Sequence, residues 1–446
     1  MVVSRYEQDA FGTVELSDEA LYGVQTLRSA RNLSFSGRTL AAYPGYIAAL
    51  AEVKRAAARA NERAGLLPRA VAQAIEQACE EVGHGCHDGQ FIVDPYHGGG
   101  GIGSNMNMNE VVANVANEML DGQAGDYRPV HPADHVNASQ STSDACHTAL
   151  RIAALRAGEK LLAELARLVG ELDAKSAELA QVPTITRTCL QDGMVDTMGT
   201  MFGGYAHGVR RRMGRLTAAV EELHAVNLGG TVIGSGVGAA VGYREHVLDT
   251  LREVTGLPML RYREHLYDAA QNIDDLSALS AELALLAGVL IKLAKDLRLL
   301  SSGPEAGFGE LRLPAVQAGS SFFPGKVNPV VPETLVQCGL QVIGLDRAVQ
   351  GALEHGELNL NVWEGFAGFN LLDMLGMLER AIGKFTDLCV TGIQADEARC
   401  RELSRTFIPA VVALKEKYGY SQVGQWLKEK SKEEVRTIYE REAEQR

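Results

Sequence analysis

Leucines recur along residues 274–300 at positions 276, 279, 283, 286, 290, 293, 297 and 300, a 3,4,3,4 spacing that keeps one apolar seam aligned along a long helix. The spacing predicts a bundle helix. A second helical pattern runs from Thr148 to Leu179, with Leu161, Leu165, Leu168, Leu172 and Leu179 on one face and charges elsewhere. A third, Pro332 to Val362, carries Gly339, Gly344, Gly351 and Gly356 and should bend or break in places. Alternating Val/Ile-rich segments do not recur often enough to build a large sheet, so the expected class is all-α with a central long-helix bundle.

Between these helices lie glycine-rich and polar stretches: 97–104, 134–144, 228–242 and 314–329. Loops on a rigid helical scaffold are where chemistry usually resides. Soft boundaries divide the chain into an N-terminal domain (1–137), a central bundle domain (138–393) and a small C-terminal domain (394–446). The tail 428–446 is dense in Lys, Glu and Arg and reads as a solvated helix or a partner-binding tail.

The formal net charge of −13 argues against nucleic acid or anionic lipid as the main partner, so an anionic substrate must be met locally. Seven cysteines without a Cys-x-x-Cys pair imply reduced thiols. With no signal-peptide pattern at the N-terminus and no uncharged run of membrane-spanning length, the expected compartment is the cytoplasm, with no membrane partner. His84, Cys86 and His87 lack a second ligand pair at usable spacing for a metal. Gly98–Gly101 has neither a flanking strand nor a following Lys-Ser/Thr, so its glycines suit close backbone approach to a ligand better than a phosphate cradle.

The most informative segment is Gly319-Ser320-Ser321-Phe322-Phe323-Pro324-Gly325-Lys326-Val327-Asn328-Pro329. Glycines flanking two serines allow a loop that folds over a ligand, and Lys326 with Asn328 supplies a cation and an amide suited to a carboxylate. By physics alone an ordinary turn before a helix explains the string equally well. The string resembles the signature of the aspartase/fumarase superfamily, Gly-Ser-Ser-x-x-Pro-x-Lys-x-Asn-Pro, at every fixed position. The resemblance extends over roughly residues 5–425, through Leu21–Arg28, Asn105–Glu110, His131–Asn137, Gln140–Asp144 and Arg187–Asp192 in the family's order.

The resemblance implies a helical bundle assembling as a homotetramer, with active sites built from loops of three subunits, and a small dicarboxylate substrate. It places Ser320 at the catalytic base, with Ser321 beside it. Ser104, Asn105, Ser141, Thr142 and Ser143 fall among the substrate-binding positions, as do Thr188, Cys189, Lys326 and Asn328. Within that set Ser141 and Thr142 receive the carboxylate activated by proton loss, and Thr188, Lys326 and Asn328 hold the other. His131 and Asp134 match a secondary anion site or serve structure. The chemistry requires no organic cofactor or metal, and magnesium activation stays open.

Three positions around the leaving group depart from the family: Ile102 replaces a hydroxyl, Ser143 replaces an amide, and Cys189 replaces a His or Gln. In fumarases the residue at position 189 pairs with the one matching Glu333, a pair this chain cannot form in the usual way. The pocket for the departing group has lost hydrogen-bonding capacity. The expected function is therefore anti β-elimination from aspartate or an N-substituted or nitro analogue, giving fumarate and a nitrogen-containing leaving group. Fumarate hydratase and a catalytically silent structural protein on the same fold are the alternatives.

Overall fold

The protein is described over residues 4–444 by a computed structural model. In chain order the helices begin with α1 (Val24–Asn32), α2 (Pro44–Arg63), α3 (Arg69–Gly83), α4 (Ile102–Met119), α5 (Thr142–Glu178), α6 (Met198–Glu222), α7 (Tyr243–Thr255) and α8 (Leu266–Gln271). They continue with α9 (Asp274–Leu300), α10 (Val330–Glu354), α11 (Glu364–Phe385), α12 (Glu397–Ser404), α13 (Phe407–Tyr418), α14 (Tyr420–Glu429) and α15 (Lys432–Glu444). Among the described residues, strands form only two-stranded sheets: β1 (Ser4–Asp9) with β2 (Gly12–Ser17), β3 (Pro183–Thr188) with β4 (Gln191–Thr197), β5 (Ala225–Val226) with β6 (Arg261–Tyr262), and β7 (Leu311–Arg312) with β8 (Gln394–Ala395). The all-α expectation holds.

The three long patterns fold as helices. Helix α9 has the bounds its leucine seam predicts, and all eight seam leucines are buried. By length and mean hydropathy (1.8) it could cross a membrane, but its polar start and buried seam suit a core helix equally. Helix α5 starts six residues before the apolar pattern does, because its first turn is polar. Helix α10 runs straight through Gly339, Gly344 and Gly351 and stops before Gly356.

The chain divides into two compact units. One comprises Met1–Leu161, Arg215–Ala284 and Val342–Gly376. Its core is the helix set α2, α3, α4 and α7. Helix α2 opens with Pro44 in its first turn and is rich in alanine, which loses no side-chain entropy in a helix. Its inner face, Ile47, Leu50, Val53 and Ala57, is sealed against α3 and α7. A buried ionic network pins this unit. Arg151 of α5 donates to Asp275 at 2.7 and 3.0 Å and to Glu364, Arg263 reaches Asp275 at 2.9 Å, and His147 lies 2.5 Å from Glu364. Both carboxylates stand in the first turns of their helices, α9 and α11, where the helix dipole also favours negative charge.

The second unit comprises Leu162–Gly214, Leu285–Gln341 and Met377–Arg446. It holds the β3–β4 hairpin, α6 and the C-terminal helices. Within the described part of the charged tail α15 is helical, but its Val435 is fully buried in a small cluster with Leu414 and Val423, so one face closes on the chain itself. Helix α6 begins hard against the end of α5: Ser176 donates to the Gly199 carbonyl at 2.7 Å, and the Gly199 amide donates to the Leu179 carbonyl at 3.0 Å. A Cβ at Gly199 would lie 2.5 Å from the Ser176 carbonyl oxygen and 2.6 Å from the Ala180 Cα. Because those neighbours are backbone, Gly199→Ala should lower stability by about 1–3 kcal/mol, as other overpacking changes do. Urea unfolding checks this; an unchanged midpoint would show that the two helix ends separate freely.

Candidate active site

Two helix starts meet in the first unit. The turn into α4 uses Gly99, Gly100 and Gly101 at φ of 80°, 64° and 95°, a left-handed run that side chains disfavour. This brings Gly101 against α5, where a Cβ on it would lie 3.6 Å from Thr142 Cγ2. Ile102, the first residue of α4, is 46% exposed and walls a pocket of about 630 Å³ shared with Gln25, Arg28, Ser29 and Asn32 of α1. Arg28 is engaged there in a two-pronged bond to Asp9 at 2.7 and 2.8 Å.

Ser104 and Asn105 are buried beneath this surface rather than displayed on it. The Ser104 amide donates to His97 Nε2 at 3.2 Å, which fixes the tautomer because His97 Nδ1 donates to the Asp94 carbonyl at 2.7 Å. Asn105 Nδ2 donates to Thr142 Oγ1 at 3.1 Å and to Asn137 Oδ1 at 3.0 Å. From below, Lys54 of α2 donates to Asn105 Oδ1 at 2.7 Å and to Asn137 Oδ1 at 3.0 Å. Lys54 is fully buried, and burial pushes its pKa down to about 8, against the smaller pull of Cys146, Asp144 and Cys79. In the sequence Lys54 is marked only as a lysine on the apolar stripe of α2.

The start of α5 is set by Asp144, whose carboxylate accepts from the amides of Ser141 (2.8 Å), Gly229 (3.0 Å) and Thr231 (2.9 Å). Burial nevertheless raises its pKa, opposed by those three bonds and by Lys54. Ser141 and Thr142 sit half-buried above it at the positive end of the helix dipole. Ser143 faces inward, its single hydroxyl hydrogen shared between the carbonyls of Thr231 (3.1 Å) and Val232 (3.0 Å). His131 accepts from the amides of Ala133 and Asp134 at 3.2 Å each, a capping role for the turn Pro132–Val136.

The second unit carries the remaining candidates on exposed loops. Ser320 Oγ accepts from the amides of Phe322 (3.0 Å) and Phe323 (2.8 Å). Asn328 Nδ2 donates to the Gly319 carbonyl at 2.6 Å, and the Gly319 amide to the Lys326 carbonyl at 2.8 Å, closing the loop at its base. Ser321, Lys326 and the two phenylalanines are exposed, with the Lys326 ammonium 5.7 Å from the centre of the Phe323 ring. Thr188 ends β3, and the turn Cys189-Leu190 is left-handed at both residues (φ 54° and 60°), which holds the Cys189 thiol out at the hairpin tip. Glu333 pairs with Arg298 at 3.2 Å.

The hairpin is anchored by Glu310, a second residue the sequence did not single out. It is fully buried, accepts from Thr184 Oγ1 at 2.6 Å and pairs with Arg187 at 2.7 Å, and Arg187 stacks over Phe308 at 4.3 Å. One carboxylate thus ties the hairpin that ends in Thr188 to the strand leading into the Ser320 loop.

Known proteins resemble this chain over most of its length. The family description of lyases matches residues 12–344. Aspartate ammonia-lyase of Pseudomonas fluorescens is 42% identical over 417 residues, 93% of this chain and 87% of that one. Fumarate hydratase class II of Ralstonia nicotianae is 39% identical over 433 residues, 97% of this chain and 93% of that one. Among solved structures, a fumarate lyase:delta crystallin from Brucella melitensis bound to cobalt superposes with a TM-score of 0.93 at 40% identity, covering 98% of this chain and 96% of its own. A class II fumarase from Schistosoma mansoni gives 0.92 at 30% identity, covering 97% and 95%.

Glu310→Ala strands the Arg187 guanidinium and the Thr184 hydroxyl in a closed space. It should lower stability by on the order of 3–5 kcal/mol, the usual cost of breaking a buried pair from one side. Denaturant titration of both proteins measures it. A loss below ~1 kcal/mol, the scale of an exposed pair, would show that the hairpin does not depend on this carboxylate.

Proposed function

The chain belongs to the lyase family it matches, within the aspartase/fumarase superfamily, and from that premise we propose that it performs anti β-elimination on a 2-substituted succinate, releasing fumarate and a nitrogen-containing group. The substrate is aspartate or an N-substituted or nitro analogue. The observation that carries this reading is Ser320 Oγ collecting two backbone N–H bonds. A serine hydroxyl is far too weak a base in water, and donors aimed at its oxygen, with Lys326 in the same loop, favour the alkoxide.

Ser320 takes the proton from the carbon next to the retained carboxylate, and the electron pair moves into that carboxylate. Ser141, Thr142 and Ser321 receive the doubly charged aci-carboxylate, helped by the positive end of the α5 dipole. Thr188, Lys326 and Asn328 hold the distal carboxylate, for which Asn328 exchanges its bond to Gly319 for one to substrate. Collapse of the aci-carboxylate expels the nitrogen group and regenerates a planar fumarate. Around that group Ile102 offers no hydrogen bond, Ser143 is buried with its hydroxyl turned toward the carbonyls of Thr231 and Val232, and Cys189 offers a thiol. A buried ammonium with so few partners costs several kcal/mol, which favours a leaving group less strongly hydrated than ammonia.

In this reading the enzyme works in the cytoplasm as a homotetramer whose copies each contribute loops to a shared site. Exposed Leu285, Leu299 and Leu340 are the kind of apolar surface that association would cover.

Purified protein offered L-aspartate, N-substituted aspartates, nitrosuccinate and malate should release fumarate faster from a substituted or nitro compound than from aspartate. Efficient release of ammonia from aspartate would remove the altered leaving group and leave an ordinary aspartase; preference for malate would replace both by a hydratase. Ser320→Ala should cut kcat on the best substrate by about 10²–10⁴-fold, the range for losing a general base. Exchange of the substrate C–H for deuterium should be lost with it. Retained exchange in that variant would eliminate Ser320 as the base.

A further inference from the structure

Lys54 is a buried cation whose bonding partners are neutral. Its ammonium has three hydrogens to donate, and its hydrogen-bond acceptors are the side-chain oxygens of Asn105 and Asn137. The groups facing it from neighbouring helices are Cys79 of α3 and Asp144 and Cys146 of α5. Burial pushes the Cys79 and Cys146 thiols up to about 12 and about 11, so both are uncharged. Asp144 is already committed to three backbone amides. Lys54 and Asp144 therefore attract one another without an ion-pair contact, and a buried ammonium whose hydrogen-bond partners are all neutral gains from a further anion nearby.

The bonds have a forced direction. A lysine can only donate, so Asn105 must present its oxygen to Lys54 and its Nδ2 to Thr142 Oγ1. Thr142 Oγ1 therefore accepts from below, and its own hydrogen has no acceptor among the described residues. That hydrogen points the relay at whatever binds above the first turn of α5. Asn137 is locked the same way: its oxygen accepts from Lys54, Asn105 and Asn109, and its Nδ2 donates to the Gln140 carbonyl at 3.2 Å.

We propose that Lys54 is a positioning residue which, through Asn105, turns the Thr142 hydroxyl toward the substrate carboxylate and supplies the buried positive charge that this carboxylate neutralises. The inference rests on the reading of Ser141 and Thr142 as the carboxylate receiver. It carries a signature that a merely structural lysine lacks. The free site holds the ammonium less firmly than water does, and a carboxylate arriving nearby holds it more firmly, so binding above about pH 8 takes up a proton. Affinity should fall as pH rises through that value, approaching tenfold per pH unit while the free lysine is neutral and the bound one charged.

Calorimetry of the full chain with succinate, an inert dicarboxylate, tests this in two buffers of different ionisation enthalpy. Wild type should take up a large fraction of a proton at about pH 8.5 and none at about pH 6.5. Lys54→Met should bind succinate at least tenfold more weakly at about pH 6.5 and show no uptake at either pH. Circular dichroism confirms that the variant is folded, and the wild-type uptake tests the inference without any substitution. Thr142→Val separates the two readings. If it binds succinate as wild type does, the carboxylate is received elsewhere and the inference falls with that assignment. If it weakens binding while wild type shows no uptake across the range, the role of Lys54 alone is overturned.

Discussion

An ammonium can only donate hydrogen bonds and a carboxylate can only accept them, and the first unit's site takes its conformation from one of each. Lys54 and Asp144 are both fully buried. Between them they orient Asn105, Asn137, Thr142, Ser141 and the loop that carries Gly229 and Thr231. A neutral hydroxyl or amide can swap roles with its neighbours at small cost, so a network of those alone would sample several arrangements. Adding a one-sided charge at each end removes that freedom. The desolvation cost is offset by bonds that a single arrangement can satisfy, and the two helix starts are held in register as a result.

The Ser320 loop follows the opposite strategy. Its bonds are local ones, from Asn328 to Gly319, from Gly319 to Lys326 and from two amides to Ser320, and Phe322 is 81% exposed. Nothing buried fixes its course. In a reaction that builds negative charge on a carboxylate, the donors that receive the charge must be fixed beforehand, because reorienting them during reaction would consume their advantage. In the proposed mechanism the base must instead admit and release the substrate, which suits an exposed loop. The rigid part and the exposed part thus differ in how their hydrogen bonds are anchored, and the two backbone amides on Ser320 carry its electrostatic environment along with the loop.

The sequence exposed features whose cause is local. The leucine seam of α9 is a spacing, and a spacing is visible without tertiary contacts. The polar first turn of α5 hid six helical residues from a search for apolar period, although Asp144 three residues after Ser141 is an ordinary start signal. What stayed hidden depends on partners distant in sequence. Lys54 meets residues 51 and 83 positions away, and Glu310 meets Thr184 from 126 positions away. The run Asn105–Glu110 is so polar that it reads as a displayed surface, yet it is buried. Asn107 donates to the Gln90 carbonyl, and Glu110 accepts amides from Gly23, Gln25 and Thr26. A motif carries no information on which of its side chains are buried and which are displayed.

In the proposed elimination, the three altered positions would weaken hydrogen bonding to the leaving group by different physical routes, which bears on what that reaction could expel. Ile102 does so by chemistry, presenting methyl groups at a pocket wall. Ser143 does so by placement, since its side chain is buried and its hydroxyl is turned toward two carbonyls of the chain. Cys189 does so by strength, a thiol being a weak donor and acceptor. Restoring a polar group at one position would not by itself rebuild an ammonium site, because the others would still leave N–H bonds unmet. A departing nitrogen that carries its own apolar substituent has fewer such bonds to satisfy and gains contact with Ile102 in exchange. The pocket of about 630 Å³ beside that residue, lined by Phe11, Leu33 and Met106 as well as the polar face of α1, has room for one.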